Sequence, residues 1–310
     1  MASSTRGPVQ AADFVWRLDP SADVGRAMLA ASRRLRESGI DTPQLDSAVL
    51  MAHALGVSKT WVYAHPQRKL TQDEIAAFQA LVVRRMQQEP VAYLVGHKDF
   101  YGLDITVDKR VLIPRPETEL LVERALAWVR VLIGEGEKPR VADVGTGSGA
   151  IAIALAVNAP EAVIYATDIS QGALEVAAQN VWRYGLGEQV VLLPGDLVSA
   201  IPEPVDVLVA NLPYVASRTL KTLAPQVRDF EPRLALDGGP DGLRKVADFF
   251  TLLATPEGSA RLRAGARLYL EIGYDQGESG RALARAAFPS AHVELQADYA
   301  GRDRLLVVIT

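Results

Sequence analysis

Two short stretches of this chain carry residues whose types and spacing could do chemistry. The first is "ANLPYV", Ala210–Val215, where an amide, a proline and a tyrosine follow the apolar run "VDVLV". A substrate amide or aromatic amine bears two N–H donors, and leaving one unpaired in a dry site costs about 1–3 kcal/mol. The Asn211 side-chain oxygen can accept one and the Leu212 carbonyl the other. Pro213 fixes its own φ and biases Leu212 to extended backbone, which holds both acceptors outward. Tyr214 offers an aromatic face to a planar acceptor or to a cation. This set suits in-line transfer of a methyl group to nitrogen, which needs a lone pair held about 3–3.5 Å from the methyl and no strong base. An isolated N-x-P-Y is also an ordinary strand-ending turn, so its surroundings decide.

The second stretch is the glycine loop "DVGTGSGA", Asp143–Ala150. Gly145, Gly147 and Ala150 satisfy the dinucleotide pattern G-x-G-x-x-G/A, and Asp168 lies about 20 residues on, where a ribose-binding acid belongs. The pattern D-x-G-x-G-x-G fits S-adenosylmethionine at least as well. That cofactor has no phosphates, and Asp143 can favour its ammonium group, whereas a pyrophosphate beside the carboxylate would be repelled. Taken alone, the loop leaves both ligands open. The candidate cofactor residues are Asp143, Gly145, Thr146, Gly147, Ser148 and Gly149, with Asp168 for the ribose hydroxyls. Asp196 in "GDL" ends a further strand and could face an adenine, although a turn cap would read the same way.

The elements that must position these residues follow from periodicity and punctuation. After about Glu117 the chain alternates helices with the strands "RVADVG", "AVIYATD", "QVVLLPGD" and "VDVLVANLPY", which implies right-handed crossovers and a parallel sheet covered on both faces. Open sheets of this kind bind ligands at the carboxyl ends of their strands, where both stretches lie. "ARLYLEIGY", a helix and "HVELQADYAGRDRLLVVIT" then put two strands in succession, so the last is expected to run antiparallel at one side of the sheet. The expected fold is α/β, a mostly parallel seven-stranded Rossmann-like sheet preceded by a small helical bundle.

The bundle is read from about Asp23 to Glu89. Its first helix stops at Gly39, its second has Thr42 as N-cap, Pro43 at the first turn and Gly56 as stop, and a third opens with a capping box from Thr71 to Glu74. The expected division is a tail over 1–20, a helical domain over 21–89, a β-hairpin linker over 90–115 and the sheet domain over 116–310.

With 33 basic and 37 acidic residues, formal net charge is −4, so no global field draws the chain to nucleic acid or an anionic membrane. Residues 1–90 hold 11 basic and 9 acidic residues, which leaves the remainder acidic. With no cysteine there is no disulfide framework, thiolate metal site or thiol nucleophile, and the four histidines have no ligand spacing. The longest apolar run, "GAIAIALAV", is about half a membrane span, and the start has no hydrophobic signal region. A protein without metal, working in the cytoplasm and off the membrane, is expected.

These stretches together resemble the HemK/PrmC family of protein glutamine N5-methyltransferases, which modify the glutamine of the Gly-Gly-Gln loop in class I peptide chain release factors. The resemblance spans nearly the whole chain and includes "PVAYLVG", "VLIPRPETEL", "DVGTGSGAIAIALA", "ATDIS", "ANLPYV", "FEPRLALDGGPDGL" and "LEIGYDQG". "IPRPETE" and "EPRLAL" are more specific than the glycine loop. The resemblance implies a class I S-adenosylmethionine-dependent methyltransferase domain with S-adenosylhomocysteine as product. Gly145–Gly149, Asp168 and Leu197 would hold the cofactor. Asn211, Leu212, Pro213 and Tyr214 would bind the glutamine, with Asn211, Pro213 and Tyr214 catalytic and Asn211 also near the cofactor. It further implies a release factor as partner, docked by the helical domain, no direct nucleic acid contact, and a monomer.

Two positions depart from the family pattern. Leu212 replaces the first proline of the usual N-P-P-Y, which keeps the carbonyl acceptor and puts rigidity in question. Leu197 stands where some relatives have an aromatic beside the adenine, so weaker stacking is expected. Arg115, Glu117 and the "LDGGPDGL" loop have no assigned role: an ion pair or a turn is as well supported as substrate contact.

Three rival readings differ at identifiable residues. A methyltransferase acting on adenine amines in DNA or RNA would use the same acceptor loop but needs a basic surface. A nicotinamide-dependent dehydrogenase leaves "NLPY" unexplained. A non-catalytic binding module has no support from an intact Asp143, Asp168 and Asn211.

Overall fold

Hydrophobic periodicity and capping set the first helices of the chain. A computed structural model describes residues 16–310, so the tail expected over 1–20 lies, up to residue 15, outside the described residues. The helices are α1 (Val24–Glu37), α2 (Pro43–Leu55), α3 (Lys59–Ala64), α4 (Gln72–Met86) and α5 (Val91–Val95). The α4 capping box forms with both partners, Thr71 and Glu74. Gly56 ends α2 with a left-handed φ of 65°. Thr42 precedes α2 without capping it, because its hydroxyl donates to Asp46 instead, at 2.8 Å. Leu35, Leu50, Met51, Phe78 and Val82 fill the core between these helices. Asp46 is buried there and accepts from Arg85 Nε at 2.7 Å. Chain compactness divides the protein into this unit, which includes Pro225–Phe230 and the short helix α9 (Pro225–Arg228), and a larger one built from His97–Ala224 and Glu231–Thr310.

The larger unit begins with a hairpin, β1 (His97–Phe100) and β2 (Leu103–Thr106), joined through Tyr101 and Gly102, both at positive φ. Two positive-φ residues match the right-handed twist of the strands they connect. A short 3-10 turn, Pro116–Thr118, leads into α6 (Glu119–Gly134). Then follow β3 (Arg140–Val144), α7 (Ala150–Asn158), β4 (Val163–Asp168), α8 (Gln171–Arg183), β5 (Val190–Pro194) and β6 (Val205–Ala210). The chain continues through α10 (Arg244–Leu253), α11 (Pro256–Ser259), β7 (Leu262–Glu271), α12 (Gly277–Ala287), β8 (His292–Ala297) and β9 (Asp303–Ile309).

The seven strands take the order β5-β4-β3-β6-β7-β9-β8. β5, β4, β3, β6 and β7 are parallel, and β9 runs antiparallel to both of its neighbours, β7 and β8. The last strand is thus antiparallel as its succession implied, inserted one place in from the edge that β8 forms. Strand order reverses at β3, from which the chain moves first to β4 and later to β6. The crossovers diverge there and leave a crevice at the carboxyl ends. The central strands are buried on both faces, with Val141, Ile164, Leu208 and Leu268 fully enclosed, which is why they read as apolar runs rather than alternating ones. Among the described residues, no helix is long and apolar enough to cross a membrane.

Candidate active site

The glycine loop leaves β3 and enters α7 with Gly145, Gly147 and Gly149 all at positive φ, between 58° and 80°. A Cβ on Gly149 would lie 3.3 Å from both Ala177 and Ile153, so this glycine lets α8 pack against the start of α7. The backbone of the loop is tied to the end of β4: Gly145 N and Thr146 N both donate to Thr167 O at 2.9 Å. Asp168 completes the tie, its Oδ2 accepting from Gly147 N at 2.9 Å and its Oδ1 from Ser170 N at 2.8 Å. Burial raises the Asp168 pKa against these backbone donors. Asn180, fully buried on α8, donates through Nδ2 to Ser148 O and Thr106 O, both at 2.9 Å, and so fastens the loop to the β2 strand.

Asp143 lies beneath this loop. Its Oδ2 accepts from the Thr146 hydroxyl at 2.6 Å and from Ala152 N at 3.1 Å, while Oδ1 has no partner among the described residues. Complete burial pushes the carboxyl up to about 7 against those two hydrogen bonds. Asp143 therefore holds the loop from below, and does not line the cavity above it.

At the end of β6, Asn211 Nδ2 donates to Thr118 Oγ1 at 3.1 Å, which leaves Oδ1 as the group's free acceptor. Among the described residues nothing donates to the Leu212 carbonyl. The Leu212 side chain is only 4% exposed and lies 3.5 Å from where a Gly145 Cβ would stand. It thus packs at the glycine loop. Tyr214 is drawn the other way: its hydroxyl donates to buried Glu271 on β7 at 3.0 Å, and its carbonyl accepts from Gln276 Nε2 at 2.9 Å. Burial and the Glu271 carboxylate both raise the Tyr214 pKa.

The "LDGGPDGL" loop closes against the acceptor stretch without room for side chains. A Cβ on Gly242 would fall 2.3 Å from Tyr214 O, and one on Gly238 2.7 Å from Pro213 O. The two most distinctive sequence stretches also meet: Arg115 of "IPRPETE" pairs with Glu231 of "FEPRLAL", which also accepts from Ile113 N.

A cavity of about 160 Å³ opens over these elements. Gly145, Thr146, Gly147, Ser148, Asp168, Asp196, Leu197, Asn211, Leu212 and Pro213 all line it. Asp143, Gly149 and Tyr214 are not among the residues that line it; the Tyr214 hydroxyl donates to Glu271. Leu197 sits in the wall at a positive φ of 49°, its carbonyl accepting from Thr167 Oγ1 at 3.1 Å. Reasoning from sequence missed Phe100, Thr118, Ile169, Leu234 and Lys245, which also line the cavity, and Glu271, which accepts from Tyr214. Glu271 did leave a signal, an acid at the end of the apolar strand "LYLE" beside the strand that carries Asn211. No cluster of metal-ligating side chains occurs among the described residues.

Comparison with known proteins agrees with this geometry. Residues 26–96 match the family model of the PrmC N-terminal domain, and residues 123–232 match that of ribosomal protein L11 methyltransferase (PrmA). The release factor glutamine methyltransferase of Moorella thermoacetica is 42% identical over 90% of this chain and 95% of its own. That of Caulobacter vibrioides is 36% identical over 91% and 94%. Among solved structures, the catalytic domain of hMettl16, in complex with a 3′UTR hairpin, superposes with a TM-score of 0.51 at 17% identity, covering 74% of this chain and 81% of that one. That likeness speaks for the methyltransferase fold alone. The identity to the first two runs through both units nearly end to end, and by it this chain belongs to the release factor glutamine methyltransferase family.

Proposed function

We propose that the protein methylates the side-chain amide nitrogen of the glutamine in the Gly-Gly-Gln motif of class I peptide chain release factors, using S-adenosylmethionine and releasing S-adenosylhomocysteine and the proton that the nitrogen sheds after transfer. The observation that carries this reading is a pair of open acceptors, Asn211 Oδ1 and Leu212 O, at the strand end beside the glycine loop, in a chain of this family. A carboxamide presents two N–H donors to match them.

The residues present fit the cofactor. Three positive-φ glycines keep side chains off the ligand, Asp168 faces the cavity as the ribose acceptor, and Asp196, Leu197 and exposed Ile169 line the part left for the adenine. Asp143 serves as the acid that supports the loop under the amino acid end. When bound, the sulfonium supplies an electrophilic methyl and a good leaving group. Asn211 and the Leu212 carbonyl then fix both amide hydrogens in plane, so the nitrogen lone pair stands perpendicular to them and toward the methyl. Pro213 and the glycine-packed loop behind it keep the two acceptors from turning away. Tyr214, anchored on Glu271, holds the stretch rather than accepting a proton. In this reading the helical residues 21–89 dock the release factor, and the protein works as a cytoplasmic monomer without direct nucleic acid contact.

Methyl transfer from labelled cofactor tests this directly. The acceptors offered are a class I release factor, the same factor with its Gly-Gly-Gln glutamine changed to alanine, and duplex DNA. Label on the first alone is expected; label on DNA would assign the acceptor loop to a base amine instead. Asn211→Ala is expected to fold and to lose turnover, and a near wild-type rate would remove Asn211 from the site.

A further inference from the structure

An amide can present either end to a ligand, and the scheme above needs the oxygen of Asn211, not its nitrogen. The choice follows from what lies behind it. Asn211 Nδ2 meets Thr118 Oγ1 at 3.1 Å, and Thr118 is 4% exposed. The Thr118 hydroxyl stands beside Glu271, as does Tyr214, whose hydroxyl donates to Oε1 at 3.0 Å. Glu271 is 2% exposed, and its second oxygen, Oε2, has no partner among the described residues.

We propose that Glu271 is a positioning residue that sets the orientation of the Asn211 amide through Thr118. A carboxylate only accepts hydrogen bonds. It takes the Tyr214 proton through Oε1, and Oε2, which has no donor of its own among the described residues, is the acceptor open to the neighbouring Thr118 hydroxyl. With its own proton committed, Thr118 can only accept from Asn211, so the amide nitrogen faces inward and Oδ1 faces the cavity. Burial, with the Glu117 charge adding to it, raises the Glu271 pKa overall against the opposing Thr118 and Tyr214 hydrogen bonds and the Arg304 charge; the relay is that of the ionised form, in which both oxygens accept. The relay is directional: one acceptor-only group behind the site determines which end of the Asn211 amide faces the cavity. It ties both ends of "NLPY" to one side chain, Asn211 through Thr118 and Tyr214 directly.

Glu271→Gln is nearly the same size and reverses the relay. Its amide can accept from Tyr214 and donate to Thr118, which frees the Thr118 proton for Asn211 Oδ1 and turns Asn211 Nδ2 to the cavity. Thr118→Val removes the relay, and Thr118→Ser keeps it. The inference rests on Asn211 holding the substrate amide, and the assay uses the full chain with a class I release factor as methyl acceptor. Glu271→Gln and Thr118→Val are each expected to lower kcat by about tenfold or more, with cofactor affinity by calorimetry within about twofold of wild type. Thr118→Ser is expected to restore most of kcat. In the Thr118→Val background, Glu271→Gln should cost little further, because residues acting in series are not additive. Wild-type kcat in Glu271→Gln, or losses that simply multiply in the double variant, would overturn the relay. If Glu271→Gln does not fold, equal kcat in Thr118→Val and Thr118→Ser would overturn it as well. Failure of the underlying reading looks different: Asn211→Ala would then retain activity, whereas failure of the relay alone leaves Asn211→Ala inactive and both Thr118 variants active.

Discussion

Replacing Asp143 by asparagine probes the electrostatics beneath the glycine loop. Burial moves this carboxyl from 3.8 to about 7, with Asp168 adding to the rise and the Thr146 and Ala152 hydrogen bonds opposing it. Between about pH 4 and 7 the folded chain thus keeps a proton that the unfolded chain has released. The unfolded state binds fewer protons in that window, so the contribution of this group to stability falls as pH rises and levels off above it. About three pH units at ~1.4 kcal/mol each give an upper bound of about 4 kcal/mol. Asparagine has no such proton to lose. Its oxygen can keep the contacts to Thr146 and Ala152, and its NH2 takes the place of the unpartnered Oδ1. Urea unfolding of both proteins without cofactor, followed by circular dichroism from pH 4 to 8, isolates the effect in the difference between the two curves. Relative to its value at the acid end, the variant should gain about 2–4 kcal/mol over wild type by neutral pH. Parallel curves would refute the assignment of a buried, proton-retaining Asp143.

Other substitutions address the cavity and its supports. Asp168→Ala removes the acceptor of Gly147 N and Ser170 N and should weaken cofactor binding by about 10- to 100-fold; unchanged affinity by calorimetry would count against the ribose assignment. Gly242→Ala places a methyl 2.3 Å from Tyr214 O at a φ of +84°. It should displace the acceptor stretch and lower kcat by about a hundredfold with cofactor affinity preserved, and a wild-type kcat would contradict the tight closure. Arg115→Ala strands the almost fully buried Glu231 carboxylate and should destabilise the fold by about 3–5 kcal/mol in thermal or urea unfolding. Adding Glu231→Gln should recover part of that loss; no recovery would mean that Arg115 acts by packing.

The mostly parallel sheet with its antiparallel last strand and the two chemical stretches were legible because each rests on local rules. Apolar runs between helices imply parallel strands, and strand ends imply a binding crevice. What one residue's side chain faces was not legible. Asp143 reads as a ligand contact from its place at a strand end, and nothing local reveals that Thr146 and Ala152 both donate to its carboxylate. Tyr214 reads as a stacking ring because nothing local reveals a carboxylate 57 residues away. Arg115 could be given an ion pair or a substrate contact until the fold set Glu231 beside it. That the Leu212 side chain packs at Gly145 could not be read from its place in the loop.

The parallel sheet has a consequence for how fast the site can come into being. Val141 pairs with Val207, Thr118 meets Asn211 across 93 positions, and Tyr214 reaches Glu271 across 57. Contacts of this separation close only after large loops have lost their freedom, and such topologies fold slowly. The α1 to α4 helices, by contrast, form from neighbouring turns. During refolding, helical signal should therefore return well before the ability to bind cofactor, and a population that looks native by circular dichroism would still contain chains in which Asn211 and Tyr214 have not yet met Thr118 and Glu271.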